Sequence, residues 1–134
     1  MAKTVLLCDD EICILKVAEF KLKKSGYRVL LAHNGEEAWQ LLLEHAPDLL
    51  VTDFQMPGLG GVELITRIRS QPAIARLPII LITARGWEIN PAELRARFNL
   101  VDVMMKPFSP RELEASITET IGPASSAVGS LMSV

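Results

Sequence analysis

Histidine and cysteine are scarce in this chain, with two of each among 134 residues. Cys8 and Cys13 have no second cysteine pair and no histidine at ligand spacing, which excludes a soft-ligand metal centre. Two cysteines in an α/β chain read as reduced thiols rather than a bridge. Basic residues are not in excess: the formal net charge is -2, so the chain lacks the electrostatic footprint of a nucleic-acid binder. No apolar run approaches the roughly 18 residues of a membrane span. Only a handful of apolar residues separate Lys3 from the first acids, which is not the pattern of a signal peptide. The expected location is therefore the cytoplasm, with neither a membrane nor a nucleic acid as partner. Charge is absent altogether from Ala124 to Val134, a stretch rich in Ser, Ala and Gly. It reads as a mobile tail or the start of a linker. What remains is apolar enough for one filled core: 49% of the residues are hydrophobic and the mean hydropathy is +0.27. The expectation is one domain over residues 1–122 and a flexible tail over 123–134, as a monomer or weak dimer.

Strand and helix patterns alternate along the chain, with no other internal repeat. The first strand, Thr4 to Leu7, precedes a helix predicted from about Glu11 to Ser25. Ile14, Val17, Ala18 and Leu22 are expected on its core face, with Leu15 and Phe20 off it. Gly26 stops this helix. Tyr27 to Ala32 is a second strand. Asn34 can cap the next helix, about Glu36 to His45. A third strand follows Pro47 and ends at Asp53. Met56 to Gly61 is a Gly/Pro-rich loop, and Val62, Leu64, Ile65 and Ile68 mark a helix ending near Ser70. The fourth strand ends at Thr83. An irregular connection containing Trp87 leads to a helix from about Pro91 to Phe98, ended by Asn99. A fifth strand, Leu100 to Met105, stops at Lys106-Pro107. Ser109-Pro110 then caps and opens a last helix reaching about Ile121. Five βα units with crossovers of this length demand parallel strands. The predicted fold is α/β, a doubly wound (βα)5 five-stranded parallel sheet of flavodoxin-like type with strand order 2-1-3-4-5.

In such a sheet the chemistry lies outside the carboxyl ends of the strands. Four of those ends carry polar residues: Asp9-Asp10-Glu11, Asp53, Thr83-Ala84 and Lys106. Each has an ordinary explanation taken alone. Asp10 precedes a helix and can serve as its N-cap. Asp53 precedes a turn-rich loop, where Asp is common. Thr83 is β-branched in a strand, and Lys106 before Pro107 suits a solvated turn. Four such residues on four strand ends are a different matter. Three acids, a hydroxyl and an ammonium sharing one pocket suit a divalent cation and a phosphoryl group. Mutual repulsion among Asp9, Asp10 and Asp53 raises carboxylate pKa values unless cations compensate. Lys106 offsets one charge, and a hard ion such as Mg²⁺ offsets more.

The acidic pair Asp9-Asp10, the stretch Asp53-Phe54-Gln55-Met56-Pro57-Gly58, Thr83-Ala84 and Lys106-Pro107-Phe108 together resemble a two-component response-regulator receiver domain of the stand-alone chemotaxis type. The resemblance covers about Lys3 to Ile121. It implies that Asp53 accepts a phosphoryl group from the phosphohistidine of a histidine kinase or histidine phosphotransfer protein. It implies Mg²⁺ held by Asp10 and Asp53 directly, by Asp9 mostly through water, and by the backbone carbonyl of Gln55. Lys106 and Thr83 would engage phosphoryl oxygens, while the side chains of Gln55 and Arg85 flank the hydrolytic water. An unidentified downstream protein reads the switched state.

Some positions depart from the family pattern. Gly60 stands where an acid is frequent, and Asn99-Leu100 replace a common Gly-Ala pair. The stretch from Thr83 to Lys106 is one residue longer than usual. Val103 occupies a site where an aromatic residue commonly rotates inward. Without that rotor, either backbone movement from Arg85 to Asn90 carries the switch, with Trp87 repositioning, or the protein signals through another surface; the first is the expectation. Trp39 is expected to pack partly in the core, and His33 and His45 to lie on the surface. Three other readings fit less well. A haloacid-dehalogenase-like phosphatase needs its nucleophile on the first strand and a second Asp where Gln55 stands. A flavodoxin-like carrier needs a phosphate loop where Asp9-Asp10-Glu11 would repel phosphate. A pseudo-receiver used only for protein contacts has no need of the intact acids, hydroxyl and lysine.

Overall fold

The computed structural model describes residues 2–84 and 90–124. The expectations for Arg85, for Trp87 and for the tail over 125–134 lie outside the described residues. In chain order the elements are β1 (Thr4–Cys8), α1 (Ile12–Lys24), β2 (Arg28–Ala32), α2 (Gly35–His45) and β3 (Leu49–Asp53). They continue with α3 (Gly61–Ser70), β4 (Ile79–Thr83), α4 (Pro91–Phe98), β5 (Asp102–Met105) and α5 (Pro110–Ile121). The five strands form one parallel sheet in the order β2-β1-β3-β4-β5. That is the predicted topology. Because every pairing is parallel, all five carboxyl ends share one edge.

β1, β3 and β4 are buried along their whole length, which is why they read as unbroken apolar runs. Successive side chains alternate between two cores. Leu6, Leu50, Ile79 and Leu81 face α2, α3 and α4 through Leu42, Leu64, Ile68 and Leu94. Val5, Leu7, Val51, Ile80 and Ile82 face α1 and α5 through Leu15, Leu22, Leu113 and Ile117. This two-sided covering fixes the depth of each strand, and so the height at which its last residue emerges.

Helix ends follow the local chemistry. Asn34 Oδ1 accepts from the Glu37 N–H at 2.8 Å and starts α2. Asn90 does the same for α4, and Ser109 for α5. Asn99 ends α4 with φ of 54°, in the left-handed region Asn tolerates. Gly61 opens α3 with its Cα against the carbonyl of Asp53, where a Cβ would collide with backbone. The Gly61 N–H also donates to the Phe54 carbonyl at 3.1 Å. Between them, the loop after β3 dips Leu59 into the core, 7% exposed and packed against Gly35. Asp53 is thus held from behind by a closed, anchored loop.

The structure corrects the reading of α1. Its buried residues are Leu15, Ala18 and Leu22, whereas Val17 is 54% exposed. Ala18 and Leu22 belong to both candidate stripes, so spacing alone could not choose between Ile14/Val17 and Leu15 as their companions. Trp39 packs partly against the core, as expected, and stacks on the Arg67 guanidinium at 5.3 Å. His33 and His45 are exposed. Ala124, assigned by composition to the tail, is buried and its carbonyl accepts from the Lys3 N–H at 2.7 Å. Among the described residues no helix is long and apolar enough to cross a membrane.

Candidate functional site

Asp9, Asp10 and Asp53 each project one carboxylate oxygen into a common space, all three within 4.8 Å of one another. Asp53 is the last residue of β3, the central strand, and is 4% exposed. Asp9 follows β1 immediately and is equally buried. Asp10 is exposed. The neighbouring strands bring Thr83, buried at the end of β4, and Lys106, just past β5. The Lys106 N–H donates to the Thr83 carbonyl at 2.8 Å, tying those two ends together. A cavity of about 370 Å³ opens over the group, lined by Asp10, Asp53, Gln55 and Lys106 among others.

The ordinary reading of Asp10 as a helix cap does not hold. α1 begins at Ile12, its N-cap is Glu11, and no side chain caps it. Asp9 does the local work instead: its Oδ1 accepts from the Glu11 N–H at 2.9 Å and turns the chain into the helix. Among the described residues, nothing gives the Asp10 carboxylate a structural task.

Lys106 holds the acids together. Its Nζ lies 3.1 Å from Asp9 Oδ2 and 3.4 Å from Asp53 Oδ2. Its nearest partner is Glu11, at 2.8 Å. Glu11 received no role from the sequence; only its place beside Asp9-Asp10 hinted at one. Burial disfavours the Lys106 ammonium, but Glu11, Asp9 and Asp53 outweigh it and hold its pKa above the usual lysine value. Burial is the largest influence on Asp53, and repulsion from Asp9 adds to it. Together they exceed the pull of Lys106 and raise the carboxyl from 3.8 to about 6. Asp9 is raised as well, chiefly by burial. One ammonium therefore under-compensates the buried acids, and a site of oxygen donors in this condition suits a hard divalent cation.

Cys8, at the end of β1, takes no part in such chemistry. Burial pushes its thiol up to about 12, and Sγ lies 3.3 Å from both the Asn34 carbonyl and Met56 Sδ. Cys13 is exposed, and both thiols are free.

Comparison with known proteins agrees with this geometry. Residues 5–118 match the response regulator receiver domain. The phosphate regulon transcriptional regulatory protein PhoB of Pseudomonas aeruginosa is 35% identical over 129 residues, covering 94% of this chain and 56% of that protein. The chain thus spans about half the length of that relative. Chemotaxis response regulator CheY4 of Vibrio cholerae superposes with a TM-score of 0.78 at 25% identity, over 89% of this chain and 98% of the other. A response regulator receiver domain protein from Clostridium thermocellum gives 0.79 at 27% identity, over 89% and 94%.

Proposed function

The chain belongs to the response regulator receiver family, and on that footing we propose that Asp53 is its phosphoacceptor in two-component signalling. The observation that carries this reading is the convergence of Asp9, Asp10 and Asp53 with Lys106 over one cavity at the strand ends. Receivers take phosphoryl groups from histidine kinases and act on downstream targets. Here the donor is the phosphohistidine of a kinase or of a phosphotransfer protein. The chain acts in the cytoplasm, as a monomer or weak dimer, on a downstream protein.

The residues fit a bound Mg²⁺. Asp10 and Asp53 would hold it directly, Asp9 through water, and Gln55 by its main-chain carbonyl. When bound, the ion neutralises carboxylate charge and draws electrons from a phosphoryl oxygen. The rest falls to the chain. An oxygen of Asp53, ionised above about pH 6 even without metal, attacks the phosphorus. The P–N bond to the donor imidazole breaks, and an acyl phosphate forms on Asp53. Lys106 pairs with one phosphoryl oxygen, and the Thr83 hydroxyl donates to another. Positioning and charge neutralisation supply most of the acceleration in such a transfer. Hydrolysis reverses the state. Water attacks the phosphorus past Gln55, the P–O bond to Asp53 breaks, inorganic phosphate leaves carrying the water's oxygen and protons, and the carboxylate is restored.

Acetyl phosphate with Mg²⁺, followed by intact-mass measurement, tests this directly. One added phosphoryl group is expected, absent in Asp53→Ala and suppressed by chelator. Labelling that persists in that variant, or proceeds fully in chelator, would overturn the assignment.

A further inference from the structure

Among the described residues the Lys106 ammonium has three carboxylate neighbours, and the one with no assigned task lies nearest. Glu11 Oε1 is 2.8 Å from Nζ, against 3.1 Å for Asp9 and 3.4 Å for Asp53. Glu11 differs from the other two in freedom. Its side chain is 58% exposed, while that of Lys106 is 11% exposed. Its backbone is fixed, because the Glu11 N–H is bonded to Asp9 and its carbonyl accepts from the Ile14 and Leu15 N–H groups. The side chain can therefore swing into solvent without disturbing a single main-chain bond. Glu11 and Lys106 also line a second, apolar groove that runs past Ile14, Val17 and Phe108, so their contact divides that groove from the acid cavity.

We infer that Glu11 is a positioning residue that latches Lys106 at the mouth of the site in the unphosphorylated state. The inference rests on the reading of Asp53 as phosphoacceptor. Until Glu11 lets go, the ammonium divides its attraction among three carboxylates. Phosphorylation puts new anionic oxygens beside Asp53, and Lys106 must give up Glu11 to meet them. The exchange is between charge-assisted partners, so it needs no change of fold. An exposed acid–lysine contact contributes only modestly to stability. The latch is therefore weak enough to open, yet each opening subtracts from the affinity for a phosphoryl group.

Two variants separate the latch from simple charge repulsion. Glu11→Ala removes both the contact and the negative charge. Glu11→Asp keeps the charge but is one methylene too short for the same contact with Lys106. Binding of beryllofluoride with saturating Mg²⁺, followed by amide NMR shifts, reports the affinity for a phosphoryl mimic without turnover. Both variants are expected to bind the mimic about two- to fivefold more tightly than the parent chain, the range an exposed ion pair supports. Affinity for Mg²⁺ alone should be unchanged in Glu11→Asp. If Glu11→Asp binds the mimic no more tightly than the parent chain, the latch is wrong, whatever Glu11→Ala does. Failure of the parent chain itself to bind the mimic overturns the reading of the site, and the latch with it.

Discussion

Replacing Asp53 by Asn should make the metal-free protein more stable, although it removes the proposed phosphoacceptor. The reason is the raised pKa. Burial and the nearby Asp9 lift the Asp53 carboxyl from 3.8 to about 6 in the folded chain. The native state therefore binds this proton more tightly than the unfolded state does. Below 3.8 both states are protonated and Asp53 imposes no penalty. As pH rises from there to about 6, the unfolded chain ionises first, and stability is lost progressively. Above about 6 the full penalty is in place, about 3 kcal/mol at 1.36 kcal/mol per pKa unit. Asn has nearly the same shape and never ionises. In chelator at about pH 7.5, urea unfolding should thus show Asp53→Asn more stable by about 3 kcal/mol, on the order of 10 °C in melting temperature for a domain of this size.

The gain should shrink as pH falls below about 6 and vanish by about pH 3, where Asp53 is neutral in the folded and the unfolded chain alike. Comparing the two proteins at each pH cancels the titration of groups remote from the site. Added Mg²⁺ should narrow the gap at neutral pH from the other side. At a hundredfold excess over its dissociation constant it stabilises the parent chain by about 2.7 kcal/mol, and the variant by less. An Asp53→Asn chain that is no more stable than its parent at pH 7.5, or whose advantage does not change with pH, would refute the claim that this carboxylate is under-compensated.

Asp10→Asn should weaken Mg²⁺ binding, as loss of a hard anionic ligand would, and should make the metal-free form more stable, though by less than Asp53→Asn does, because Asp10 is exposed yet still repels the Asp53 carboxylate; calorimetric titration and thermal melting check the two halves, and an unchanged or lower metal-free stability would count against three mutually repelling carboxylates. Gly61→Ala drives a Cβ into the carbonyl of Asp53 and the Cα of Phe54, so it should destabilise by about 1–3 kcal/mol, as overpacking does, and slow phosphorylation from acetyl phosphate. Truncation after Ala124 should change neither melting temperature nor phosphorylation rate, whereas removing Ala124 itself should lower stability, since it is buried and bonded to Lys3.

The sheet and the acid cluster were legible in the sequence for one reason. Fully buried parallel strands appear as apolar runs, and each run announces its own end with the first polar residue. The ends of three such runs put Asp53, Thr83 and Lys106 on one edge. Glu11 could not. Its significance depends on how the turn after β1 aims a flexible side chain across to Lys106, 95 positions further along the chain. No local pattern encodes such a reach. The core face of α1 failed for a different reason: a helix carrying Ile12, Ile14, Leu15, Val17, Ala18 and Leu22 offers two overlapping stripes. Only the packing of α5 and the strands decides that Leu15 turns in and Val17 turns out. Ala124 was misread because composition cannot see a single main-chain bond to Lys3.

Val103 bears on how this site communicates with the surface. It pairs with Leu81 across the edge of the sheet and packs partly against the core beneath α4. A β-branched side chain in a strand is stiff about χ1 and has no ring to rotate, so it cannot follow an inward shift of the Thr83 hydroxyl in the manner of an aromatic residue. What does connect the two strands is main chain. Thr83 accepts from the Lys106 N–H and Ile79 from the Val101 N–H, both at 2.8 Å. Lys106, which on the latch reading changes partner when Asp53 is phosphorylated, is therefore joined through its own backbone to the strand bearing the hydroxyl. On the latch reading, release from Glu11 and any shift at Thr83 act on the same short segment, Met105 to Pro107. On that reading, strand ends coupled by hydrogen bonds would carry a change of partner at the acid cavity towards the exposed side chain of Met105 on β5, beside the partly buried Val103.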